Sequence, residues 1–369
     1  MKVVVTGAAG FLGWHLRVRA RAGGVHEVLP VGRSDWHRLH DLVRSADAVI
    51  HIAGVNRGEP AQVERGNVEL ARDVARALES DGKPRRVVYA NSIQSGNGTP
   101  YGTGKETAAE MLRSSAERAG GTFVDVRLPN LFGEHGRPHY NSFIATFVDL
   151  IATGGSADIV DRPVPLLHAQ PAAQALLDAM SGPGGVRTPA GKDVSVQRVW
   201  DLLSTFAKAY STGDIPGLAS QFEVELFNTL RATLFPERYP IPLTSHADDR
   251  GRLVETVRSH GGEGQTFVST TRPGVTRGEH FHLRKIERFV VVSGEARISL
   301  RKVLTNEIVS FDVSGEDPVV IDMPTMWAHN ITNTGAEELV TIFWTNELFD
   351  PADADTYREP VLLEEVDAC

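Results

Sequence analysis

The chain has 369 residues, which at roughly 150 residues per domain predicts two or three domains. Apolar residues make up 41% and charged residues 23%, as in an ordinary globular protein, so a disordered or fibrous chain is excluded. A net charge of −9 argues against a nucleic-acid partner, and the single cysteine, Cys369, excludes an intrachain disulfide and a cysteine-based zinc finger.

No stretch approaches the roughly 18 apolar residues of a membrane-spanning helix. Met1 and Lys2 lead directly into the apolar run 3–5, without the apolar core and cleavage site of a signal peptide. We therefore expect no membrane partner and a cytoplasmic location.

Short β-branched runs alternate with longer helical segments over the first 130 residues. The runs predicted as strands are 2–6, 27–31, 48–52, 85–90 and 122–128, and each is too continuously apolar to have a solvent-facing side. Segments such as 60–78 and 105–119 have the apolar spacing of helices. This alternation predicts an α/β domain with a doubly wound, Rossmann-type parallel sheet covered by helices.

The texture of the sequence changes after a proline-rich segment. Helical patterns at 196–210 and 218–234 are followed by Pro236, Pro240 and Pro242, which a helix interior does not tolerate. Short alternating runs then follow at 265–270, 289–292, 296–300, 319–323 and 339–344. They predict an all-β domain, so we place the domains at 1–240 and 241–369.

Three glycines, Gly7, Gly10 and Gly13, directly follow the first predicted strand. Between them Phe11 and Leu12 begin a helix, whose free N–H groups and positive dipole end attract a pyrophosphate. The spacing is G-x-x-G-x-x-G, and its position in a βαβ unit predicts dinucleotide binding.

Cofactor choice is expected at the end of the second predicted strand, where an acidic residue would bind the ribose of NAD. This chain has Arg33 and Ser34 there, and a guanidinium suits the 2′-phosphate of NADP. Asp35 lies close enough to compete. The sequence favours NADP(H).

A candidate acid–base set follows the fourth predicted strand. Tyr101 and Lys105 are four residues apart on a predicted helix, so both side chains lie on one face. A neighbouring ammonium is expected to lower the tyrosine pKa towards neutral pH, and Ser92 can donate to a substrate carbonyl.

Arg137 and Asn141, just after the fifth predicted strand, are candidates for substrate contact at the carboxyl edge of the sheet. An equally simple interpretation is that Asn141 belongs to a capped helix start before the apolar run 143–151. Both interpretations stay open at this point.

The predicted β domain contains a candidate metal site. His280 and His282 are alternate residues of a strand and point to one face, with Glu287 close behind and His329 in a later run. Three imidazoles and one carboxylate suit a first-row divalent ion, and Zn²⁺ is the favoured one.

The N-terminal motifs resemble the extended short-chain dehydrogenase/reductase superfamily, which mostly acts on nucleotide sugars. They are the glycine turn, the string 51–54, Ser92 with Tyr101 and Lys105, and the segment 127–133. The resemblance implies that Tyr101 is the acid–base residue, that Lys105 also holds the nicotinamide ribose and that Ser92 orients the carbonyl. It further places Ala53 and Gly54 at the cofactor and Asn130 at the substrate.

The spacing G-x5-H-x-H-x4-E-x6-G from Gly274 to Gly294, and P-x4-H-x3-N from Pro324 to Asn333, resembles both motifs of the cupin barrel. The resemblance implies a jelly-roll barrel for the all-β domain. Met326 replaces the usual glycine of the second motif, which affects the turn more than the metal ligands.

A reductase followed by a cupin, with local strings at 137–142, 249–251, 273–278 and 343–351, is similar to the bifunctional capsular-polysaccharide enzymes of the CapF/WbjC type. The similarity implies C3 epimerisation of a UDP-2-acetamido-2,6-dideoxy-hexos-4-ulose by the cupin domain. NADPH-dependent reduction at C4 then gives UDP-2-acetamido-2,6-dideoxy-L-talose, in the UDP-N-acetyl-L-fucosamine pathway. It also implies a homodimer.

The order of the steps follows from the chemistry, because the C3 proton is acidic only while the C4 ketone is present. The base is left open among a histidine or carboxylate near the metal and Lys285. Two alternatives remain: a 4-keto sugar reductase of another pathway whose cupin only dimerises or docks substrate, and an NADP-sensing regulator without chemistry.

Overall fold

The computed structural model describes residues 1–24 and 26–363, so Cys369 lies outside the described part of the chain. Within that part, none of the helices combines the length and the apolar character needed to cross a bilayer. The chain packs as two units: Met1–Thr146 with Ile159–Val196, and Phe147–Asp158 with the chain from Gln197 onward. The domain limits 1–240 and 241–369 stay a prediction.

The first unit contains a six-stranded parallel sheet and a three-stranded sheet. Its strands are β1 (Lys2–Thr6), β2 (Glu27–Val31), β3 (Ala48–His51), β4 (Arg86–Ser92), β5 (Thr122–Leu128), β6 (Asn130–Phe132), β7 (Pro163–His168), β8 (Gly185–Arg187) and β9 (Lys192–Ser195). Its helices are α1 (Phe11–Gly23), α2 (Leu39–Ser45), α3 (Pro60–Glu79), α4 (Pro100–Arg118) and α6 (Ala169–Asp178), and α5 (Phe143–Thr153) is divided between the units.

The strand order of the large sheet is β2-β1-β3-β4-β5-β8, with every neighbouring pair parallel. Alternate residues of β1 point to opposite faces: Val3 and Val5 join the core beneath α1 and α6, whereas Val4 joins the core beneath α2, α3 and α4. The chain therefore winds to both sides of β1, which places a topological switch point between β1 and β3. The predicted parallel Rossmann-like sheet is confirmed.

Strand β2 corrects one expectation. Its residues Glu27 and Pro30 are exposed, because β2 is the edge strand and has a neighbour on one side only. The prediction that all five strands are buried on both faces is wrong for β2. Helix α4 also begins earlier than the pattern from residue 105 indicates, because Pro100 opens it and the Thr99 hydroxyl accepts a hydrogen bond from the backbone N–H of Gly102.

The second unit contains two helices and antiparallel sheets, which confirms the all-β texture after the prolines. The helices are α7 (Val196–Tyr210) and α8 (Gln221–Leu234). The strands are β10 (Ile241–Pro242), β11 (Ser245–Asp248), β12 (Gly251–Val254), β13 (Gln265–Thr271), β14 (Thr276–Phe281), β15 (Glu287–Ser293), β16 (Glu295–Lys302), β17 (Ile308–Ser314), β18 (Val319–Met323), β19 (Trp327–Asn333), β20 (Leu339–Thr345) and β21 (Tyr357–Arg358).

Two five-stranded sheets form the body of this unit, in the orders β10-β18-β15-β20-β13 and β17-β16-β19-β14-β21, and β11 pairs with β12 as a separate hairpin. In β16 the alternate residues Ala296, Ile298 and Leu300 are buried, as a strand with one solvated face requires. The central strand β15 is buried on both faces over most of its length, so the side chains of both faces pack inside the protein.

Candidate functional site

The glycine turn lies at the switch point of the parallel sheet. Gly7 has φ +68°, and a Cβ there would stand 2.8 Å from the backbone nitrogen of Ala53. A Cβ on Gly13 would stand 2.1 Å from the carbonyl oxygen of Gly7. Only glycine allows this close packing of the turn on α1, which Gly10 caps and Phe11 and Leu12 begin.

The turn after β3 is tied to the glycine turn through Thr6. The Thr6 hydroxyl accepts hydrogen bonds from the backbone N–H groups of Ile52 and Ala53, at 3.2 and 3.3 Å. Ala53 and Gly54 therefore lie beside the glycine turn, where a dinucleotide-binding fold holds its cofactor. The free N–H groups of α1 remain directed at the same crevice.

At the end of β2 the structure places a cation and a carboxylate together. Arg33 and Ser34 are exposed there, as the sequence predicts. The Asp35 carboxylate folds back to accept bonds from Ser34 Oγ at 3.1 Å and from the backbone N–H of Gly32 at 3.4 Å. The Asp35 carboxylate thus lies nearer to the end of β2 than its sequence position indicates, and it is hydrogen-bonded within its own turn.

The structure brings the predicted acid–base residues together at the carboxyl end of β4. Tyr101 and Lys105 lie on α4, and Tyr101 lies near enough to Ser92, the last residue of β4, for that hydroxyl to influence its pKa. The Lys105 ammonium donates to the carbonyl oxygen of Ala90 at 2.8 Å and lies 4.2 Å from the ring centroid of Tyr89. This arrangement can present two hydroxyl groups to a carbonyl oxygen.

One electrostatic expectation is wrong. Burial raises the pKa of Tyr101 and the hydrogen bond to Ser92 offsets part of that rise, whereas Lys105 does not lower it. The reason is that Lys105 is itself buried: burial lowers its pKa to about 7, against the attraction of Asp125. Tyr101 is therefore a neutral donor in this structure.

A buried column that sequence reasoning missed supports Lys105. The ring of Tyr89 stacks on His51 with centroids 5.5 Å apart, and Lys105 lies against the same tyrosine. Burial, and then the charge of Lys105, lower the pKa of His51 to about 3, so this imidazole is neutral and bonds to Thr6. Tyr89 lies in an apolar run and resembles an ordinary core residue, so the sequence contains no signal for it.

The three predicted substrate residues are not in one cluster of contacts. Asn130 Nδ2 donates to the carbonyl oxygen of Pro165 at 3.2 Å, and Arg137 lies 5.4 Å from the ring centroid of Tyr140. Asn141 is exposed just before α5, while the Ser142 hydroxyl accepts a bond from the third residue of that helix. The capped helix start is thus observed at Ser142, and Asn141 stays a prediction.

The four predicted metal ligands form one cluster in the second unit. Donor atoms of His280, His282, Glu287 and His329 all lie within 4.8 Å of one another. The Nε2 atoms of His282 and His329 are each 3.0 Å from one Glu287 oxygen, and that of His280 is 3.8 Å away. A β-bulge between Gly278 and His280 shifts the register of β14 just before His280, and His282 directly follows the strand.

Backbone carbonyls orient two of these imidazoles. His282 Nδ1 is 2.6 Å from the Asp355 carbonyl oxygen, and His329 Nδ1 is 3.1 Å from that of Trp327. A proton on each Nδ1 leaves the Nε2 lone pair facing the Glu287 carboxylate. Two lone-pair donors at such distances repel unless a proton or a cation lies between them, so the donor set fits a divalent metal.

The pKa shifts of His282, His329 and Glu287 also reflect the close packing of these groups around one carboxylate. Burial would lower the pKa of His282, but the charge of Glu287 raises it overall, while burial lowers the pKa of His329 to about 4. Burial would raise the pKa of Glu287, yet the histidines around it hold that pKa well below its usual range. The buried Glu287 carboxylate thus depends on the histidines around it.

A cavity of about 410 Å³ opens onto this cluster. Its apolar wall includes Phe289 and Phe343, whose ring centroids are 4.4 Å apart. Its polar wall includes Lys285, whose ammonium donates to the Ala354 carbonyl at 2.6 Å and lies 3.9 Å from the Glu347 carboxylate. The cavity therefore has room for a small polar ligand and holds titratable groups beside the metal ligands.

The turn of the second cupin-like motif is maintained by an unusual residue. Met326, which stands where that motif has glycine, has φ +62°. The backbone conformation is therefore kept although the glycine is absent, and the turn still leads into β19 with His329. That the departure affects the turn more than the metal ligands stays a prediction.

Two family models match the chain: "NAD dependent epimerase/dehydratase family" over residues 3–185 and "Polysaccharide biosynthesis C-terminal domain" over 246–357. The chain is 33% identical over 370 residues to the UDP-2-acetamido-2,6-beta-L-arabino-hexul-4-ose reductase of Pseudomonas aeruginosa, covering 97% of this chain and 98% of the relative. A shorter relative, the Bacillus subtilis spore coat polysaccharide biosynthesis protein SpsL, is 28% identical over 127 residues. The match covers 32% of this chain and 84% of that relative.

Solved structures agree with these relatives. The chain is similar to the capsular polysaccharide assembling protein CapF of Staphylococcus aureus, with 32% identity, a TM-score of 0.60 and coverage of 98% of this chain and 100% of that one. A structure of CapF with the inhibitor 3-isopropenyl-tropolone has 32% identity, a TM-score of 0.58 and the same coverage. With both domain types in this order, the chain belongs to the CapF family of nucleotide-sugar reductase/epimerase enzymes of polysaccharide biosynthesis.

Proposed function

We propose that this chain acts twice on a UDP-2-acetamido-2,6-dideoxy-hexos-4-ulose. The second unit inverts C3. The first unit then reduces the C4 ketone with NADPH to give UDP-2-acetamido-2,6-dideoxy-L-talose, a step of the UDP-N-acetyl-L-fucosamine pathway. The observation that carries the proposal is the placement of Ser92 beside Tyr101, with Lys105 one turn later on α4, in a chain that aligns over 97% of its length with a hexul-4-ose reductase.

In the reduction, NADPH supplies the hydride when it is bound. Tyr101, kept neutral by burial, donates its proton to the C4 oxygen as charge develops there. Ser92 donates a second hydrogen bond to the same oxygen, while Lys105 is held one turn along α4 by its bond to the Ala90 carbonyl. The glycine turn with Ala53 and Gly54 would hold the cofactor, and Arg33 with Ser34 would bind its 2′-phosphate.

In the epimerisation, a Zn²⁺ ion held by His280, His282, Glu287 and His329 would supply Lewis acidity to the substrate oxygens. The proton at C3 is acidic only while C4 is a ketone, so this step precedes reduction. The base is one of the titratable groups at the cavity, among them Lys285. In support, CapF binds a tropolone, whose adjacent carbonyl and hydroxyl oxygens chelate metal ions.

We further propose that the two five-stranded sheets close as a cupin-type jelly roll and that the chain is a homodimer. The ligands come from both sheets, His280 of β14 and His329 of β19 from one and Glu287 of β15 from the other, as a barrel interior requires, and His282 directly follows β14. The edge strand β13 exposes Phe267 and Val268, and it pairs within the described chain only with β20. A second copy is the simplest cover for such an edge. A cytoplasmic location remains an expectation.

The proposal is tested with the full chain, NADPH and the 4-keto sugar nucleotide. Tyr101→Phe removes the proton donor, so the rate of NADPH oxidation is expected to fall about 10²- to 10⁴-fold while NADPH affinity is retained. Tyr357→Phe, which keeps its ring contact with Phe281, is the matched control. A Tyr101→Phe variant as active as the wild type would overturn the proposed reductase mechanism.

The metal is tested separately by elemental analysis of the purified chain. We expect about one zinc per chain in the wild type and in His37→Ala, and loss of zinc from His282→Ala, because the cluster then retains only three donors. Equal zinc in both variants would exclude His282 as a ligand.

A further inference from the structure

Two arginines of the first unit flank one exposed tyrosine. The Arg57 guanidinium lies 5.7 Å from the ring centroid of Tyr140, and that of Arg137 lies 5.4 Å from it. Arg57 also donates to the carbonyl oxygen of His139 at 2.8 Å. His139 has φ +55°, which is uncommon for a residue with a side chain, and its N–H is held by the Thr146 hydroxyl at 2.9 Å.

The two arginines come from loops that flank the reductive site. Arg57 follows β3 and Arg137 follows β6, which continues directly from β5. In the sheet β3 and β5 are the two neighbours of β4, the strand that ends at Ser92. The loops on either side of the Ser92–Tyr101 pair therefore meet, through Arg57 and His139, at the carboxyl edge of the sheet.

The charges of this pair are uncompensated. Neither Arg57 nor Arg137 forms an ion pair with a carboxylate in the described part of the chain, although the protein has a net charge of −9. Like charges held near one ring repel each other, and each guanidinium has a planar fork that matches phosphate oxygens. Such an arrangement gains most from a ligand with two or more negative charges.

We propose that Arg57 and Arg137, held against Tyr140, bind the diphosphate of the sugar nucleotide during reduction. The cofactor diphosphate is the other possible source of this chemistry. It is accounted for by the glycine turn after β1, whereas the arginine pair lies on loops after β3 and β6. The identity of the ligand rests on the proposed function.

The test is hydrogen exchange measured by mass spectrometry on the full chain, with NADPH alone and with NADPH plus UDP. UDP is not turned over, and peptides covering 55–58 and 133–142 report on the two arginine loops without the cofactor residues Ala53 and Gly54. In the wild type, UDP is expected to slow exchange in both peptides, and the UDP concentration required gives a dissociation constant. Arg57→Ala and Arg137→Ala are each expected to raise this dissociation constant about tenfold.

Arg72→Ala, which removes an exposed arginine of α3, is the matched control and is expected to bind UDP as the wild type does. Arg57→Lys keeps the charge without the fork and is expected to lose part of the affinity. Protection by NADPH alone that depends on Arg57 would overturn the assignment in favour of the cofactor. Absence of UDP protection in the wild type, or unchanged affinity in both alanine variants, would overturn it altogether.

These outcomes separate the inference from the proposed function. Reduction of the 4-keto sugar without UDP protection of the two loops contradicts the arginine site alone. UDP protection that requires both arginines, in a chain that does not reduce the sugar, supports the arginine site and contradicts the proposed function.

Discussion

Single side chains set the charge of the reductase site, and Tyr89 lies at its centre. Its ring separates the neutral imidazole of His51 from the ammonium of Lys105. Burial raises the pKa of Tyr89 well above its usual range, so the phenol stays neutral and only its ring acts on Lys105. Tyr89 is therefore a positioning residue for Lys105.

Replacement of Tyr89 separates the role of the ring from that of the hydroxyl. Tyr89→Leu is expected to lower kcat for reduction about tenfold and to shift its pH profile, because the cation–π contact that holds Lys105 is lost. Tyr89→Phe keeps the ring and is expected to behave as the wild type. Steady-state rates between pH 6 and 9 check this, and equal losses in both variants would contradict a role for the ring.

Lys105 makes the stability of the cofactor-free protein depend on pH. Burial lowers its pKa in the folded state to about 7, from 10.5 for a free side chain. Between these values the unfolded chain binds the proton and the folded chain does not, so stability rises with pH across this window. The free energy of unfolding rises by about 1.4 kcal/mol per pH unit in this window. Below pH 7 it no longer changes with pH through Lys105, because both states are protonated.

Denaturant unfolding of the wild type and of Lys105→Met at pH 7 and pH 8.5 measures this effect. We expect the wild type to gain stability relative to the variant as the pH rises, since methionine has the size of lysine without its proton. A difference between the two proteins that does not change with pH would show that Lys105 keeps its ordinary pKa.

At the scale of elements, β15 serves two purposes on its two faces. One face presents Glu287 to the metal ligands, and the other presents Arg288, which is fully buried and forms a two-pronged ion pair with Asp322 of β18 at 2.7 and 2.9 Å. Asp322 also accepts a bond from Tyr210 of α7 at 2.6 Å. Helix α7 and the sheet that contains Glu287 are thus joined through one buried carboxylate.

Removal of that carboxylate is expected to be costly. Asp322→Ala leaves the Arg288 charge buried without its partner, which costs about 3–5 kcal/mol of unfolding free energy. Asp312→Ala breaks the exposed Arg297–Asp312 pair of the same unit and is expected to change the unfolding free energy far less, because solvent screens the two charges. Chemical denaturation of both variants compares them, and equal losses would contradict this account of the buried pair.

The sequence predicted those elements whose periodicity is local. The bounds of β1, β5, α7 and β18 match the predicted ranges, because strands buried on both faces and amphipathic helices leave a pattern in neighbouring residues. The exposure of β2 was not predictable in the same way, since an edge position depends on the strand order, which no local run encodes.

The same distinction applies to the sites. His280 and His282 were predictable because strand alternation places them on one face, whereas the orienting carbonyl of Asp355 lies 73 residues from His282. Arg57 was not predictable, since its partner loop lies 82 residues away. The pKa of Tyr101 was mispredicted because the spacing to Lys105 contains no information about the burial of either group.

At the scale of the whole molecule, the proposed function assigns to one chain two reactions that share one ketone. Reduction removes the C4 carbonyl that makes the C3 proton acidic, so the epimerised ketone must be the species that is reduced. As we propose it, reduction draws the epimerisation forward by consuming its product. Loss of Tyr101 is accordingly expected to leave C3 exchange intact, whereas loss of the metal ligands is expected to abolish it.

The most direct measurement is the incorporation of deuterium at C3 of the UDP-linked 4-keto sugar in deuterated buffer, followed by NMR with and without NADPH. We expect label at C3 without NADPH in the wild type and in Tyr101→Phe, and an L-talo product from the wild type alone once NADPH is added. NADPH oxidation without label at C3 would contradict the proposed epimerase and leave the second unit as a binding or assembly module.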